Sequence, residues 1–249
     1  MRTLLITTND DDFAKTFFES FLSIRQKKFT KIIILPSIER NSFPTYLRPL
    51  VAIKLMGIIG TIKYIKYKVL NTYKDSFHFG SITNELKIVE NYSQKDLISE
   101  VSSLNPDILI SVGAPIIFSK ELLSLPTIGA INLHNGNIKK YRGHFSTFWE
   151  AFNKESNFSI SLHEMNEKVD SGMMLDHVSR NKNNFKDFFD VMLWKKQAGG
   201  KLLANTLNKF EINKTFYAIS ADKSNSNESK SSYYGFPSFK DIMKFSFWK

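Results

Sequence analysis

Three polar side chains offer this sequence its most plausible chemistry. Asn132 and His134 flank Leu133 at the end of the apolar run IGAINLH, residues 128–134. On a β-strand, residues two apart share a face, so an amide and an imidazole project together. They stand at the carboxyl end of the run, where open α/β sheets place their ligands. Downstream, Val169-Asp170-Ser171-Gly172 sets a carboxylate in a tight, glycine-containing turn. An imidazole with an ordinary pKa of about 6.5 exchanges a proton near neutrality; an amide and a carboxylate are the usual partners that hold and orient such a group. Between the two, GNIKKYRG (136–143) adds Arg142 and two glycines that relax the backbone. Taken singly, Asn, His and Asp also serve as turn former, buried histidine and turn cap. Residue types alone leave that structural reading open.

The elements that must position these residues follow from periodicity. TLLIT (3–7), KIIIL (31–35), LKIVE (86–90), ILISVG (108–113) and IGAINLH (128–134) are short Ile/Leu/Val-rich runs. Such continuous apolar runs suit strands buried on both faces of a largely parallel sheet. Helical spacing covers 13–24, about 95–104, 120–123 and 184–210. Strand and helix alternation predicts an α/β fold with an open, mostly parallel sheet and helices on both faces. FSISLHEM (158–165) alternates apolar and polar residues and reads as a more exposed strand. Asn9-Asp10-Asp11-Asp12 reads as a loop with helix-capping side chains. The polar stretch ADKSNSNESKSS (221–232) reads as a low-complexity loop. These features divide the chain into a catalytic unit, 1–210, and a short C-terminal extension, 211–249.

Leu47 to Tyr73 is apolar and basic, with Lys54, Lys63, Lys66 and Lys68 and no acidic residue. Two readings stay open: an amphipathic helix on an anionic membrane surface, or a helix packed on the sheet with its lysines in water. The second is the commoner arrangement. The net charge of +10 points to an anionic partner or to a lysine-rich composition, and does not choose between them.

Several chemistries are excluded or unsupported. With no cysteine, disulfides, thiolate catalysis and cysteine-ligated metals fall away. His78, His134, His144, His163 and His177 are too scattered to suggest a metal cage, so no metal is expected. There is no GxGxxG after the first strand, no Walker-type GK[ST], no GxSxG and no HExxH. The opening MRTLLITTNDDDF has too short an apolar run for a secretory segment. A cytoplasmic protein is expected.

INLHNGNIKKYRG, FWEAFNKE and SISLHEMNEKVDSGMML together resemble the core of the folate-dependent formyltransferase family, over about residues 105–178. The family pattern is Asn-x-His, a loop ending in Arg-Gly, then Asp-x-Gly; here these are Asn132 and His134, Arg142-Gly143, and Asp170-Ser171-Gly172. The sequence departs at Asn135-Gly136, Ile138-Lys139 and Ser159-Ile160-Ser161, which removes no catalytic group and bears on loop shape and substrate choice. The resemblance implies a Rossmann-like formyltransferase fold and 10-formyltetrahydrofolate as co-substrate. It assigns Asn132 as oxyanion donor, His134 as proton acceptor or donor, and Asp170 as the group that orients the imidazole. Pro115, Ile116 and Phe118 of the GAPIIF loop would line the folate site, with Asn166 and Glu167 from the loop before Asp170. Packing is the competing role for Ile116 and Phe118.

Within the family, a methionyl-tRNA enzyme carries a further OB-like domain, for which the residues after 210 show no pattern. A glycinamide ribonucleotide enzyme has a glycine- and serine-rich phosphate loop where this sequence has TTNDDDF, whose acids would repel a phosphate. Sugar N-formyltransferases fit best, with FW after the Arg-Gly loop and an aromatic YY-x-FP segment near the C-terminus. That resemblance implies a nucleotide-linked amino sugar as acceptor, surface-polysaccharide biosynthesis as the setting, and a homodimer. No nucleic-acid partner is expected. Arg142 would meet the pyrophosphate, and Trp149, Tyr233 and Tyr234 would stack on sugar or base or else serve in packing. A non-catalytic relative held at a membrane by 47–73 is the alternative from another class.

Overall fold

A computed structural model describes residues 1–8, 13–36, 47–73, 79–213 and 232–247. Strands β1 (Thr3–Thr8), β2 (Phe29–Leu35), β3 (Thr83–Ile88), β4 (Ile108–Val112) and β5 (Gly129–His134) form the parallel part of a seven-stranded sheet. β7 (Asn157–Glu164) and β8 (Met174–Asn181) continue it antiparallel, in the order β3-β2-β1-β4-β5-β7-β8. A small second sheet pairs β6 (Tyr141–Gly143) in parallel with β9 (Ser232–Tyr234).

Alternate residues of each apolar run bury into opposite layers. Leu5, Ile32, Ile34, Ile110, Ile131 and Leu133 enter one core with α1 (Ala14–Leu22) and α6 (Phe188–Asn213). Leu4, Ile6, Ile33, Leu35 and Leu109 enter the other with α3 (Gln94–Leu104) and α4 (Lys120–Ser124). A strand covered on both faces gains from apolar side chains at every position, which is why these runs show no alternation. α3 opens with a capping box between Ser93 and Asp96, which satisfies two orphan backbone donors.

The structure departs from several local expectations. The β3 strand falls three residues before 86, as an edge strand exposing Leu86 and Ile88. α6 runs to Asn213, three residues past the helical stretch expected to end at 210, and its start is preceded by a 3-10 turn at Lys182–Asn184. Past the expected boundary, Ile242 of α7 (Phe239–Lys244), Phe245 and Phe247 are buried with Phe148, Phe158 and Phe188. β7, read as exposed, is buried over six consecutive residues between β5 and β8. Its alternation is real: Phe158, Ile160 and Leu162 face apolar cores, while Ser159, Ser161 and His163 are buried polar residues. Polar alternation marks a buried polar face here instead of solvent.

Finally, α2 (Arg48–Tyr73) is two helical segments joined at a non-helical Gly57 (φ 71°, ψ 172°), and its outward side is largely aliphatic, with Lys54, Lys66 and Lys68 also exposed. Among the described residues no helix is long and apolar enough to cross a membrane. Asn9-Asp10-Asp11-Asp12, His78 and residues 221–231 lie outside the described residues.

Candidate active site

The antiparallel register of β5 and β7 builds the site. It places His163 directly opposite Asn132 and Ser161 opposite His134, so alternation along both strands gathers four polar side chains on one face. A bulge between Leu162 and His163 in the β7–β8 pairing falls beside the site, a place where extra residues commonly re-aim a side chain. The turn joining these strands then folds back and delivers Asp170, which sits at φ 49° in the left-handed region. Aspartate tolerates that conformation better than most residues.

Asp170 is the hub. Its Oδ2 lies 3.3 Å from His134 Nδ1 and accepts the Gly143 N–H at 2.8 Å. Its Oδ1 lies 3.4 Å from His163 Nε2 and accepts from Asn132 Nδ2 at 3.3 Å. The outer nitrogen of each histidine is fixed by a carbonyl. His134 Nε2–H donates to Tyr141 O at 2.7 Å, and His163 Nδ1–H donates to Glu164 O at 2.7 Å. A neutral His134 ring therefore presents its Nδ1 lone pair toward Asp170, and Asn132 Nδ2 also reaches His163 Nε2 at 3.2 Å.

Burial dominates the titration of His134, which is 6% exposed: desolvation holds its pKa below the usual 6.5, against the raising influence of the Asp170 charge. For Asp170, burial opposes ionisation, but the His163 hydrogen bond, the His134 ring and the Gly143 amide outweigh it and hold the carboxyl at about 2. The resting site is thus a carboxylate between imidazoles, with a proton vacancy at His134 Nδ1 that the carboxylate would stabilise once filled.

Tyr141-Arg142-Gly143 forms β6 and is tied to the site at both ends, through the Tyr141 carbonyl and the Gly143 amide. Gly143 sits at φ 90°, and a side chain there would meet Tyr234 O at 2.4 Å and the Tyr233 ring at 2.9 Å. β9 lies against it, with Arg142 in register with Tyr233. A Cβ on Gly172 would fall 1.8 Å from Glu164 O. Gly172→Ala should therefore push the turn away from β7 and move Asp170 with it. A displacement near 1 Å costs about 100-fold, so kcat/KM should fall by that order while far-UV circular dichroism stays unchanged; normal turnover would show that this turn does not hold Asp170 in place.

Behind the site, Lys195 of α6 donates to Glu150 Oε2 at 2.6 Å and to Asn135 O at 2.8 Å. Glu150, on α5 (Ser146–Phe152), accepts the Asn137 N–H at 3.1 Å. Ser146 and Thr147 also donate to Asn135 O. The loop leaving His134 is therefore anchored on a fully buried charged pair.

Of the expected residues, Asn132, His134 and Asp170 come together, and Arg142 lies in β6 between Tyr141 and Gly143, whose backbones bond His134 and Asp170. Pro115, Ile116 and Phe118 lie in the loop from β4 to α4; Phe118 is buried in the core and Ile116 packs against it, leaving Ile117, 67% exposed, as the apolar residue that stands out. Asn166 Oδ1 accepts from Ser171 Oγ and Lys168 N, shaping the Asp170 turn. Glu167 pairs with Lys120 at 3.2 Å, which ties that turn to α4. Trp149 donates to Gly235 O and its ring packs on Tyr234, which packs on Tyr141. Tyr233 remains the more exposed of the two tyrosines. His144, stacked on Phe236 at 4.3 Å, and the exposed Phe145 extend an aromatic ledge beside Gly143. Sequence reasoning gave no site role to His163, Tyr141, Gly143, Glu150 or Lys195. The polar parity of Ser159, Ser161 and His163 was the signal for the first. Among the described residues no group of His, Asp and Glu is arranged to hold a metal ion.

No family model matches the chain. It is 36% identical over 81 residues to a methionyl-tRNA formyltransferase of Clostridioides difficile (strain 630), a match covering 32% of this chain and 26% of that protein. A second methionyl-tRNA formyltransferase, of Clostridium beijerinckii, is 31% identical over 145 residues, covering 53% and 46%. The chain therefore matches less than half the length of these curated relatives. Among solved structures, it superposes on a sugar N-formyltransferase from Shewanella sp FDAARGOS_354 with a TM-score of 0.56 and 17% identity, covering 98% of this chain and 86% of that one. An N-formyltransferase from Helicobacter canadensis, in complex with folinic acid and dTDP-3-aminofucose, matches with a TM-score of 0.54 and 18% identity, over 97% and 72%. The likeness to these structures establishes a shared fold.

Proposed function

We propose that this chain, similar over part of its length to methionyl-tRNA formyltransferases and sharing the fold of a sugar N-formyltransferase, is a folate-dependent formyltransferase that moves a formyl group from 10-formyltetrahydrofolate to the primary amine of a nucleotide-linked amino sugar. The observation that carries the reading is the convergence of Asn132, His134, His163 and Asp170 on one buried face at the carboxyl end of β5. Formyl transfer joins an amine nitrogen to the formyl carbon, places negative charge on the carbonyl oxygen, removes a proton from the new ammonium and supplies one to the departing folate nitrogen.

Each demand has a resident group. Asn132 Nδ2 is the oxyanion donor; its present bonds, 3.2 and 3.3 Å, are long enough for a closer anion to draw one hydrogen away. A preorganised donor of this kind is worth roughly 10²–10³ in rate. The vacancy at His134 Nδ1, backed by the Asp170 carboxylate, receives the proton from the amine and returns it to the leaving nitrogen. Burial holds the imidazole neutral at pH 7, the state a proton acceptor requires. On this reading Ile117 and the turn bearing Asn166 and Glu167 contact the folate, while Tyr233, Phe236 and Arg142 contact the acceptor.

An amino sugar is favoured by the aromatic ledge of His144, Phe145, Tyr233 and Phe236 beside Gly143, since rings of this kind stack on sugar and base. The Helicobacter canadensis enzyme, which carries an amino-sugar nucleotide, supports the same choice. Methionyl-tRNA is the second reading, favoured by the curated relatives. Incubation with 10-formyltetrahydrofolate and a panel of nucleotide 3-amino and 4-amino deoxysugars, methionyl-tRNA and glycinamide ribonucleotide separates them. Turnover of at least one amino sugar is expected. Inertness toward every sugar with turnover of methionyl-tRNA would replace the acceptor, and inertness toward all would remove the reading.

A further inference from the structure

Outside the site, the most anomalous surface of the molecule is the outward face of α2. Beyond the kink at Gly57, the helix turns Gly60, Thr61, Tyr64 and Tyr67 toward the body, where the two tyrosines pack on Phe13 and Phe189. Lys63 faces the same way and pairs with Asp187 and Asp190 at 2.7 and 2.8 Å. At about 100° per residue, the opposite side carries Ile58, Ile62, Ile65 and Val69 in one column. They are 69%, 60%, 55% and 47% exposed, with Ile59 and Leu70 beside them. A surface helix ordinarily shows water its charged side. This one shows water an aliphatic stripe and places Lys66 and Lys68 on its two flanks.

We propose that this face docks on an anionic phospholipid bilayer. The aliphatic column enters the boundary between headgroups and acyl chains, as in-plane amphipathic helices do, while the exposed Lys54 and Lys66 extend toward lipid phosphates. Charge complementarity selects this occupant over a second copy of the chain. Residues 47–73 contain no Asp or Glu, so two such faces brought together would oppose lysine to lysine. An anionic bilayer supplies the opposite charge. α7 packs against α2 and exposes Phe239 and Met243 together with Lys240 and Lys244, the same mixture of apolar and basic groups. The net charge of +10 adds long-range attraction to the same surface.

Full-length protein is sedimented with phosphatidylcholine vesicles that contain or lack phosphatidylglycerol, at low and high salt. Binding to the anionic vesicles alone, reversed by salt, is expected. Each lysine near an anionic surface is worth about 5-fold in partitioning, so Lys54→Gln/Lys66→Gln should weaken binding roughly 25-fold. Ile62→Ser/Ile65→Ser should weaken it at least ~10-fold. Both variants should retain formyl transfer, which reports that they fold. Failure to bind anionic vesicles at low salt, or equal binding to neutral ones, would overturn the proposal. So would a concentration-dependent dimer in lipid-free solution that Ile62→Ser/Ile65→Ser abolishes, which would assign the face to a second copy.

Discussion

His134→Ala and Asp170→Ala should each lower kcat/KM for formyl transfer by about 100-fold or more, the least that lost acid–base help costs. The two residues share one proton position, between Nδ1 and Oδ2 at 3.3 Å, so their effects should not multiply in the double variant. The pH profile tests the assignment more sharply. Burial depresses the pKa of His134, and a proton acceptor must be neutral. Activity should therefore be intact at pH 7 and fall only as pH drops through that depressed value, giving an acid limb below 6.5. Asp170, held at about 2, stays ionised throughout and contributes no limb. In Asp170→Asn the imidazolium loses its counter-charge, so the limb should move to still lower pH on a reduced plateau. A wild-type limb above 6.5, or one that stays put in Asp170→Asn, contradicts these roles. Near-normal turnover of both alanine variants removes them.

The second large effect is on stability. Lys195 and Glu150 are 2% and 0% exposed and face one another at 2.6 Å. Burial drives the lysine pKa down and the glutamate pKa up, and each partner opposes that drift in the other. Lys195→Met removes the answer to a carboxyl group that cannot reach water, which typically costs about 3–5 kcal/mol. It also takes one donor from Asn135 O, at the loop leaving His134. Adding Glu150→Gln should recover part of the loss, because a neutral amide still accepts the Asn137 N–H and no longer needs a cation. Urea unfolding of the three variants measures this. A loss below about 1 kcal/mol in Lys195→Met, or no recovery in the double variant, would show that the pair is not held as drawn.

Much of the sheet was legible because its determinant is local. A strand packed on both faces must be apolar at every position, and LLI, III, ILI and AINL say so without reference to partners. The shared face of Asn132 and His134 was legible for the same reason, since parity along a strand is a property of the backbone. β7 was misread because alternation records that one face is polar and not what that face meets. Parity was right and solvent was wrong: Ser159, Ser161 and His163 meet the site. α2 fails in the complementary way. Both its faces are apolar, so spacing alone could not say which one the fold covers. Lys54, Lys66 and Lys68 are exposed, as lysines facing water would be, whereas Lys63 turns inward to two aspartates more than a hundred residues away.

From the amino-acid sequence alone came the layered α/β core, the pairing of an amide with an imidazole at a strand end, and a carboxylate in a turn able to meet them. Each depends on steric and hydrophobic rules that act over a few residues. Tertiary structure alone decided that His163 stands opposite Asn132, that the Tyr141 carbonyl and Gly143 amide fix the proton positions, and that Lys195 answers Glu150 from 45 residues away. Register between strands and contact between distant helices depend on how whole surfaces fit, and no short stretch of sequence contains both sides of that fit.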